Sequence, residues 1–208
     1  MEQLRPEEIE RRSFEIITKE LGETAIDERL APIIKRVIHT TADFDYLSNL
    51  CFSDNVVEHA LKAIKGGADI VTDTNMALAG INKASLLKSG GKAHCFMADQ
   101  DVAKEALERN ATRASISMEK ALELPGQVIF AIGNAPTALI RLEELIREDR
   151  IKPALIIGVP VGFVNVIESK ELIRKAGVPY IVAQGRKGGS NVAAAIVNAL
   201  LYMAYPRS

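Results

Sequence analysis

The stretch from Val37 to Tyr46, VIHTTADFDY, holds a dense set of reactive side chains. Starting at His39, it places an imidazole, two hydroxyls, two carboxylates and a phenol within eight residues. Imidazole is the only side chain whose ordinary pKa lies near neutrality, so His39 is suited to giving and taking a proton. Taken alone, the stretch favours a structural explanation, in which Thr40 or Thr41 caps a helix and His39 packs at its edge.

A second stretch, GRKGGSN at residues 185–191, has the features of an anion site and precedes an apolar helical segment. Gly188 and Gly189 let backbone amides turn toward a ligand, and a helix N-terminus adds positive potential. Arg186 and Lys187 add full charges. The stretch lacks both GxGxxG and GxxxxGK[ST] spacing, so a carboxylate or phosphate on another molecule is favoured over NAD or ATP. The alternative is a solvated basic loop before a capped helix.

Other kinds of active site have little support in the sequence. The three histidines and two cysteines lack metal-ligand spacing, and there is no GxSxG motif of a serine hydrolase. His59 and His94 are therefore expected to be structural or surface residues. Cys51 and Cys95 are isolated from each other, which is typical of a chain in a reducing compartment.

Length and composition indicate one globular domain over residues 1–208. The chain is 48% hydrophobic and 25% charged, and its net charge of −1 argues against a nucleic-acid or anionic-membrane surface. No apolar run reaches the roughly 18 residues that cross a bilayer, and the first residues are too charged for a secretory signal. We therefore expect a cytoplasmic protein without a membrane partner.

Two helices are predicted to position the first reactive stretch. Residues 6–21 form one amphipathic helix, in which Ser13 interrupts the apolar stripe and either bonds its own backbone or faces a polar site. Residues 30–38 form a second, which delivers His39 at its C-terminal end, where the helix dipole favours an imidazolium. Asn55 and Glu58 resemble a capping box for a third helix.

The remaining pattern predicts an α/β fold with a parallel sheet covered on both faces, because apolar runs alternate with helical segments. Five strands are predicted, at residues 68–74, 92–97, 127–132, 154–159 and 178–183. In this architecture the turns that leave the strands converge on one edge, where ligands bind. Those turns are residues 133–137, 158–163 and 185–191.

Several long motifs together resemble the precorrin-8X methylmutase family, including its cobalt-precorrin-8 form. They are VIHTTADFDY (37–46), ADIVTDTNMALAGI (68–81), IGNAPTAL (132–139), ALIIGVPVGFVNVIESKELI (154–173) and GRKGGSNVAAAIVNALL (185–201). The resemblance covers nearly the whole chain. It implies a three-layer α/β/α fold and a homodimer with its pocket near the subunit contact.

The family moves a methyl group between adjacent ring-C carbons of an anionic tetrapyrrole during corrin biosynthesis, giving hydrogenobyrinic or cobyrinic acid. The resemblance implies that no methyl donor, metal ion or other cofactor is needed. It places the catalytic histidine at His39. Ser13 and Arg113 are implied to contact the substrate, and Asp43 and Asp45, if close, would favour protonated His39. We expect the remaining contacts at Thr40, Thr41, Arg186, Lys187 and the amides of Gly188, Gly189 and Ser190.

Two other functions remain open from the residues. A tetrapyrrole carrier would keep the pocket and do no chemistry, whereas the presence of His39 favours an enzyme. A metal chelatase using His39 and His94 would need added cobalt to form product.

Overall fold

The fold is built on a single six-stranded sheet. A computed structural model describes residues 5–22 and 24–206. The strands are β1 (Leu50–Phe52), β2 (Asp69–Thr72), β3 (Ala93–His94), β4 (Val128–Ile132), β5 (Leu155–Gly158) and β6 (Tyr180–Ala183). They are arranged in the order β1-β6-β5-β4-β2-β3, with β1 antiparallel to β6 and every other pair parallel.

Helices precede the first strand, fill connections between strands and follow the last strand. They are α1 (Pro6–Leu21), α2 (Ala31–Thr41), α3 (Tyr46–Asn49), α4 (Val56–Lys65), α5 (Asn75–Gly80), α6 (Lys83–Leu87), α7 (Gln100–Glu108), α8 (Arg113–Lys120), α9 (Pro136–Arg147), α10 (Val166–Lys175) and α11 (Ser190–Ala204). Short 3₁₀ turns follow β3 at Phe96–Ala98 and α8 at Ala121–Glu123. Among the described residues, no helix combines the length and apolar character that a membrane span requires.

Alternating side chains of the central strands divide the core into two layers. Ile129 and Ala131 of β4 pack with α1, α2, α4 and α11, whereas Phe130 and Ile132 pack with α8, α9 and α10. Because both faces of a parallel strand are covered, the strand reads as a continuous apolar run. The predicted three-layer α/β/α fold is confirmed, and the five predicted strands are present.

The structure also differs from the sequence prediction in local detail. The sixth strand, β1, was not predicted, and it pairs Leu50 with Ala183 at the sheet edge. Three residues are too few to show an alternating pattern. The predicted capping box is wrong, because Asn55 adopts a left-handed φ of 53° and its side chain makes no cap hydrogen bond.

Candidate functional site

The turns that leave the parallel strands meet at one edge of the sheet, as predicted. The Gly189 amide donates to Val159 O at 2.8 Å, which joins the turns after β5 and β6. A Cβ added at Gly133, after β4, would lie 2.6 Å from Ser190 Cα. Backbone therefore packs directly against backbone here, and these turns form the rim of one site.

Asp73 fastens the turn after β2 to the turn after β4. Its buried carboxylate accepts the amides of Gly133, Asn134 and Ala135 at 2.8, 2.8 and 2.6 Å. Burial raises the pKa of Asp73, and the three amides oppose that rise. Sequence reasoning did not select this residue, although an acid directly after a buried strand was a usable signal.

Ser190, the first residue of α11, is held to the turn after β2. Its hydroxyl lies 2.7 Å from the Thr74 hydroxyl, which also accepts the amide of Ala77. The N-terminus of α11 is therefore fixed against the β2 turn. This position directs the first free amides of the helix toward the rim of the site.

Gly188 and Gly189, whose amides were predicted to bind an anion, differ in whether the amide is free. A Cβ at Gly188, where φ is 157°, would lie 2.1 Å from Val159 O, so only glycine fits. The Gly189 amide already donates to Val159 O, so it is not free to hold a carboxylate in this structure. In the described part of the chain, the amides of Gly188 and Ser190 have no hydrogen-bond partner.

Lys170 of α10 stabilises the turn after β6, residues 185–191, which we call the basic turn. Its side chain is 1% exposed, and Nζ donates to Gly185 O at 2.8 Å and Lys187 O at 2.9 Å. Burial lowers the pKa of Lys170 to about 8. Sequence reasoning missed this residue, because its helical position alone gives no sign of the carbonyls that it meets.

Lys187 brings the two reactive stretches together. Its Nζ lies 2.7 Å from Asp43 Oδ2 and 2.6 Å from Asp45 Oδ2. The ammonium lowers the pKa of Asp43, and the two carboxylates raise the pKa of Lys187. The carboxylates that we expected to act on His39 therefore bind Lys187 instead.

His39 lies exposed in the last turn of α2. Its ring stacks on Phe14 of α1, with 5.2 Å between centroids and 6° between planes. The Arg36 guanidinium also lies 4.7 Å from the Phe14 ring centroid. No described residue forms a hydrogen bond to the His39 ring, so both ring nitrogens are open to a ligand.

A cleft of about 340 Å³ opens beside His39. Helices α2, α5 and α11 contribute its lining, which is Arg36, His39, Thr40, Gly80, Asn191, Ala194, Ala195, Asn198 and Tyr202. Two bonds hold the Asn198 amide: Nδ2 donates to Gly80 O at 2.8 Å, and Oδ1 accepts the Asn82 amide at 2.7 Å. None of these described lining residues carries a carboxylate, although Glu10 of α1 forms an ion pair with the Arg36 guanidinium.

The three predicted hydroxyl residues bond to their own helices. Ser13 donates to Ile9 O at 2.8 Å, Thr40 to Arg36 O at 2.9 Å and Thr41 to Val37 O at 2.8 Å. Ser13 directly precedes Phe14, on whose ring His39 stacks, and Thr40 lines the cleft. Their oxygens remain acceptors for a ligand, but none of them bonds to His39.

The two predicted arginines lie at the rim. Arg113 begins α8, where the hydroxyl of the preceding Thr112 bonds to the Thr137 hydroxyl at 2.9 Å, next to the turn after β4. Arg186 lies over the Phe163 ring at 5.5 Å. Neither guanidinium is paired with an acid among the described residues, so both charges are available.

His94 and His39 belong to different surroundings. His94 Nε2 lies 3.0 Å from Asp69 Oδ2, and its ring stacks near Phe96. No contact joins the two histidines within the described ranges. Over those same ranges, no group of three or more His, Cys, Asp or Glu side chains has the arrangement of a metal site.

The chain is similar to known proteins along nearly its full length. A family model described as precorrin-8X methylmutase matches residues 8–203. The cobalt-precorrin-8 methylmutase of Priestia megaterium is 46% identical over 201 residues, covering 97% of this chain and 89% of the relative. The protein of the same name from Salmonella typhimurium is 47% identical over 203 residues, covering 95% of each.

A solved structure gives the same result for the fold. The precorrin-8x methyl mutase of Thermus thermophilus superposes with a TM-score of 0.86 at 40% identity, covering 94% of this chain and 96% of the other. The sequence and structural comparisons therefore agree. The chain belongs to the precorrin-8X methylmutase family of isomerases, which act in cobalamin biosynthesis.

Proposed function

We propose that this protein moves a methyl group between adjacent ring-C carbons of precorrin-8X or cobalt-precorrin-8, with His39 as general acid. The placement of His39 carries the proposal: an exposed imidazole, fixed on Phe14, lies in a cleft without carboxylates. Because no described residue forms a hydrogen bond to the ring, its proton is available to a bound macrocycle. The products would be hydrogenobyrinic acid or cobyrinic acid.

The reaction balances without a second reactant. His39 donates a proton to the conjugated ring system, which makes the migration favourable. The bond from the methyl group to its first carbon breaks as the bond to the neighbouring carbon forms. Loss of a proton from the rearranged ring restores protonated His39. The protein's other task is to hold the substrate rigidly in the reactive geometry.

The substrate's acetate and propionate arms would be held around the rim. Arg113 and Arg186 provide unpaired guanidinium groups, and the amides of Gly188 and Ser190 provide free donors. Charge-assisted bonds of this kind are stronger than neutral ones. An arm that reaches Lys187 would compete with the carboxylates already bound there.

The remaining predicted contacts would be made by smaller groups. Thr40 lines the cleft, and Ser13 and Thr41 lie in the two helices that carry Phe14 and His39. Their hydroxyl oxygens would accept bonds from the macrocycle. Gly189 would allow close packing of the turn without donating its amide.

We also propose that the natural substrate contains cobalt. The relatives at 46% and 47% identity are both named cobalt-precorrin-8 methylmutase, which supports this form. Cobalt would then arrive as part of the substrate. The test is to compare turnover of the two forms, and preferential turnover of metal-free precorrin-8X would contradict the proposal.

A spectroscopic assay separates the enzyme from a carrier. Methyl migration changes the conjugated system, so the absorption spectrum of substrate mixed with purified protein follows the reaction. We expect multiple turnovers without added cobalt. Binding without turnover would indicate a carrier, and product formation that depends on added cobalt would indicate a chelatase.

A further inference from the structure

A cavity of about 740 Å³ lies at the amino ends of the parallel strands, whereas the basic turn lies at their carboxyl ends. Gln127 precedes β4, Ala154 precedes β5 and Tyr180 begins β6, so the amino ends of these strands form its floor. Helix α4 and the C-terminal end of α10 form its sides. None of its lining residues lines the His39 cleft.

Positive charge dominates the lining of this cavity. The lining contains the cationic side chains of Lys62, Lys152 and Arg174 and a single carboxylate, that of Asp54. Within the described ranges, neither lysine forms an ion pair. Grouping cations around a concave surface raises the local positive potential, which an anion would relieve.

Arg174 adds a second observation. Its Nη1 lies 2.8 Å from Glu171 Oε1, yet its Nε is buried without a hydrogen-bond partner in the described structure. An unsatisfied buried donor is uncommon in folded proteins. A small shift of this side chain on ligand binding would satisfy the donor.

Part of the remaining wall is apolar. Phe52, Pro153, Val178 and Pro179 line it beside the ring of Tyr180. A simple inorganic ion would leave these surfaces unused, whereas an organic body would bury them. Cations on one part of a cavity and apolar walls on another select an organic anion.

We propose that this cavity, formed by Lys62, Lys152, Arg174 and the apolar walls between them, is a second binding site for an organic anion. The ligand would carry two or more negative charges, as carboxylate or phosphate groups, on an apolar body. The carboxyl and amino ends of these strands are about 13–17 Å apart, because each strand has four or five residues at about 3.3 Å per residue. The second site is therefore separate from the cleft that holds His39.

Calorimetric titration of the full chain tests the proposal with two probes, benzene-1,3,5-tricarboxylate and phenyl phosphate. We expect saturable binding of one molecule per chain, weakened by added salt. Lys62→Ala and Lys152→Ala would each weaken binding about tenfold, because each removes a charge-assisted bond. Binding of the first probe alone would identify a carboxylate ligand, binding of the second alone a phosphate ligand, and binding of both the shared chemistry.

Matched variants exclude a general charge effect. Lys65→Ala removes an exposed charge from the same helix outside the cavity, and Arg186→Ala removes one at the opposite edge. Both would leave probe binding unchanged, and Lys152→Ala would leave methyl migration unchanged. The proposal is overturned if neither probe saturates, if Lys65→Ala weakens binding as much as Lys152→Ala, or if Arg186→Ala abolishes binding.

Discussion

At the scale of single residues, His39 combines an open ring with a fixed orientation. The stack on Phe14 restrains the plane of the imidazole without using either ring nitrogen. Thr41 ties the end of α2 together by bonding to Val37 O and accepting the Asp43 amide at 3.3 Å. A proton donor held in this way needs little rearrangement when substrate arrives.

Replacing Phe14 tests whether the stack positions His39. In Phe14→Leu the apolar contact remains but the parallel ring is lost, so the imidazole would sample more orientations. An aromatic pair contributes about 0.5–1.5 kcal/mol, which corresponds to a decrease in kcat of about 2–13-fold with KM unchanged. Steady-state kinetics measure both parameters, and Phe14→Tyr, which keeps the ring, serves as the control. A change confined to KM would contradict a positioning role.

At the scale of secondary-structure elements, buried polar side chains hold the turns around the site. Asp73 accepts three backbone amides of the turn after β4, and Lys170 donates to two carbonyls of the turn after β6. A backbone group that is shielded from water costs free energy when it has no partner. The shape of the rim therefore depends on these two side chains.

Asp73→Asn is expected to destabilise the protein by about 2–4 kcal/mol. The amide cannot accept with its NH₂ group, so at least one of the three backbone donors loses its bond inside the protein. Urea unfolding measures the change. Asp101→Asn removes a carboxylate from an exposed ion pair and would change stability by less than about 1 kcal/mol. Equal effects of the two substitutions would contradict the assigned role of Asp73.

The lowered pKa of Lys170 is expected to make the free energy of unfolding depend on pH. Its pKa is about 8 in the folded protein and ordinarily 10.5, so between these values the unfolded chain binds more protons than the folded one. The free energy of unfolding contributed by this group therefore rises with pH in that window. Urea unfolding from pH 7 to 10 would show wild type gaining stability relative to Lys170→Met. Parallel curves for the two proteins would show that Lys170 does not titrate in this range.

The sequence predicted the regular elements better than the groups that join them. Long apolar runs identified β4, β5 and β6, because a strand buried on both faces needs apolar residues throughout. His39 was likewise visible as a reactive side chain at a helix end. Asp73 gave only the local signal of an acid at the end of a buried strand, because its partners lie 60 to 62 residues further along the chain.

The partners of Lys187 could not be predicted for the same reason, because they are distant in the sequence. Nothing local indicated that Asp43 and Asp45 bind an ammonium more than 140 residues away instead of acting on His39. The three residues of β1 also needed β6 beside them to form a strand. Contacts between distant segments depend on topology, which propensity and spacing do not contain.

At the scale of the whole molecule, an exposed apolar surface adjoins the rim of the site. Phe163 and Val164 are 82% and 77% exposed in the turn after β5. Val161 and Ile167 of the same segment are also exposed, and apolar groups gathered in one segment mark an interface better than a single exposed side chain does. The family resemblance implies a homodimer with its pocket near the subunit contact, and we propose that this surface forms that contact.

Val164→Asp is expected to weaken self-association. A carboxylate at this position would have to be desolvated in an apolar contact, which favours the monomer. Light scattering after size-exclusion chromatography measures the mass at several concentrations. Leu107→Asp, at an equally exposed apolar position on α7, would leave the mass unchanged. A wild-type protein that is monomeric at every concentration would contradict the homodimer.

We propose that one imidazole, that of His39, performs the proton transfer while the rest of the chain positions the macrocycle. The most direct test is a single-turnover measurement on His39→Gln, with substrate affinity determined on the same protein. Glutamine keeps a polar side chain in the cleft but does not act as an acid. We predict near-normal substrate binding and a rate of methyl migration at least about 100-fold below wild type. A rate within a few-fold of wild type would contradict the assignment of His39 as the proton donor.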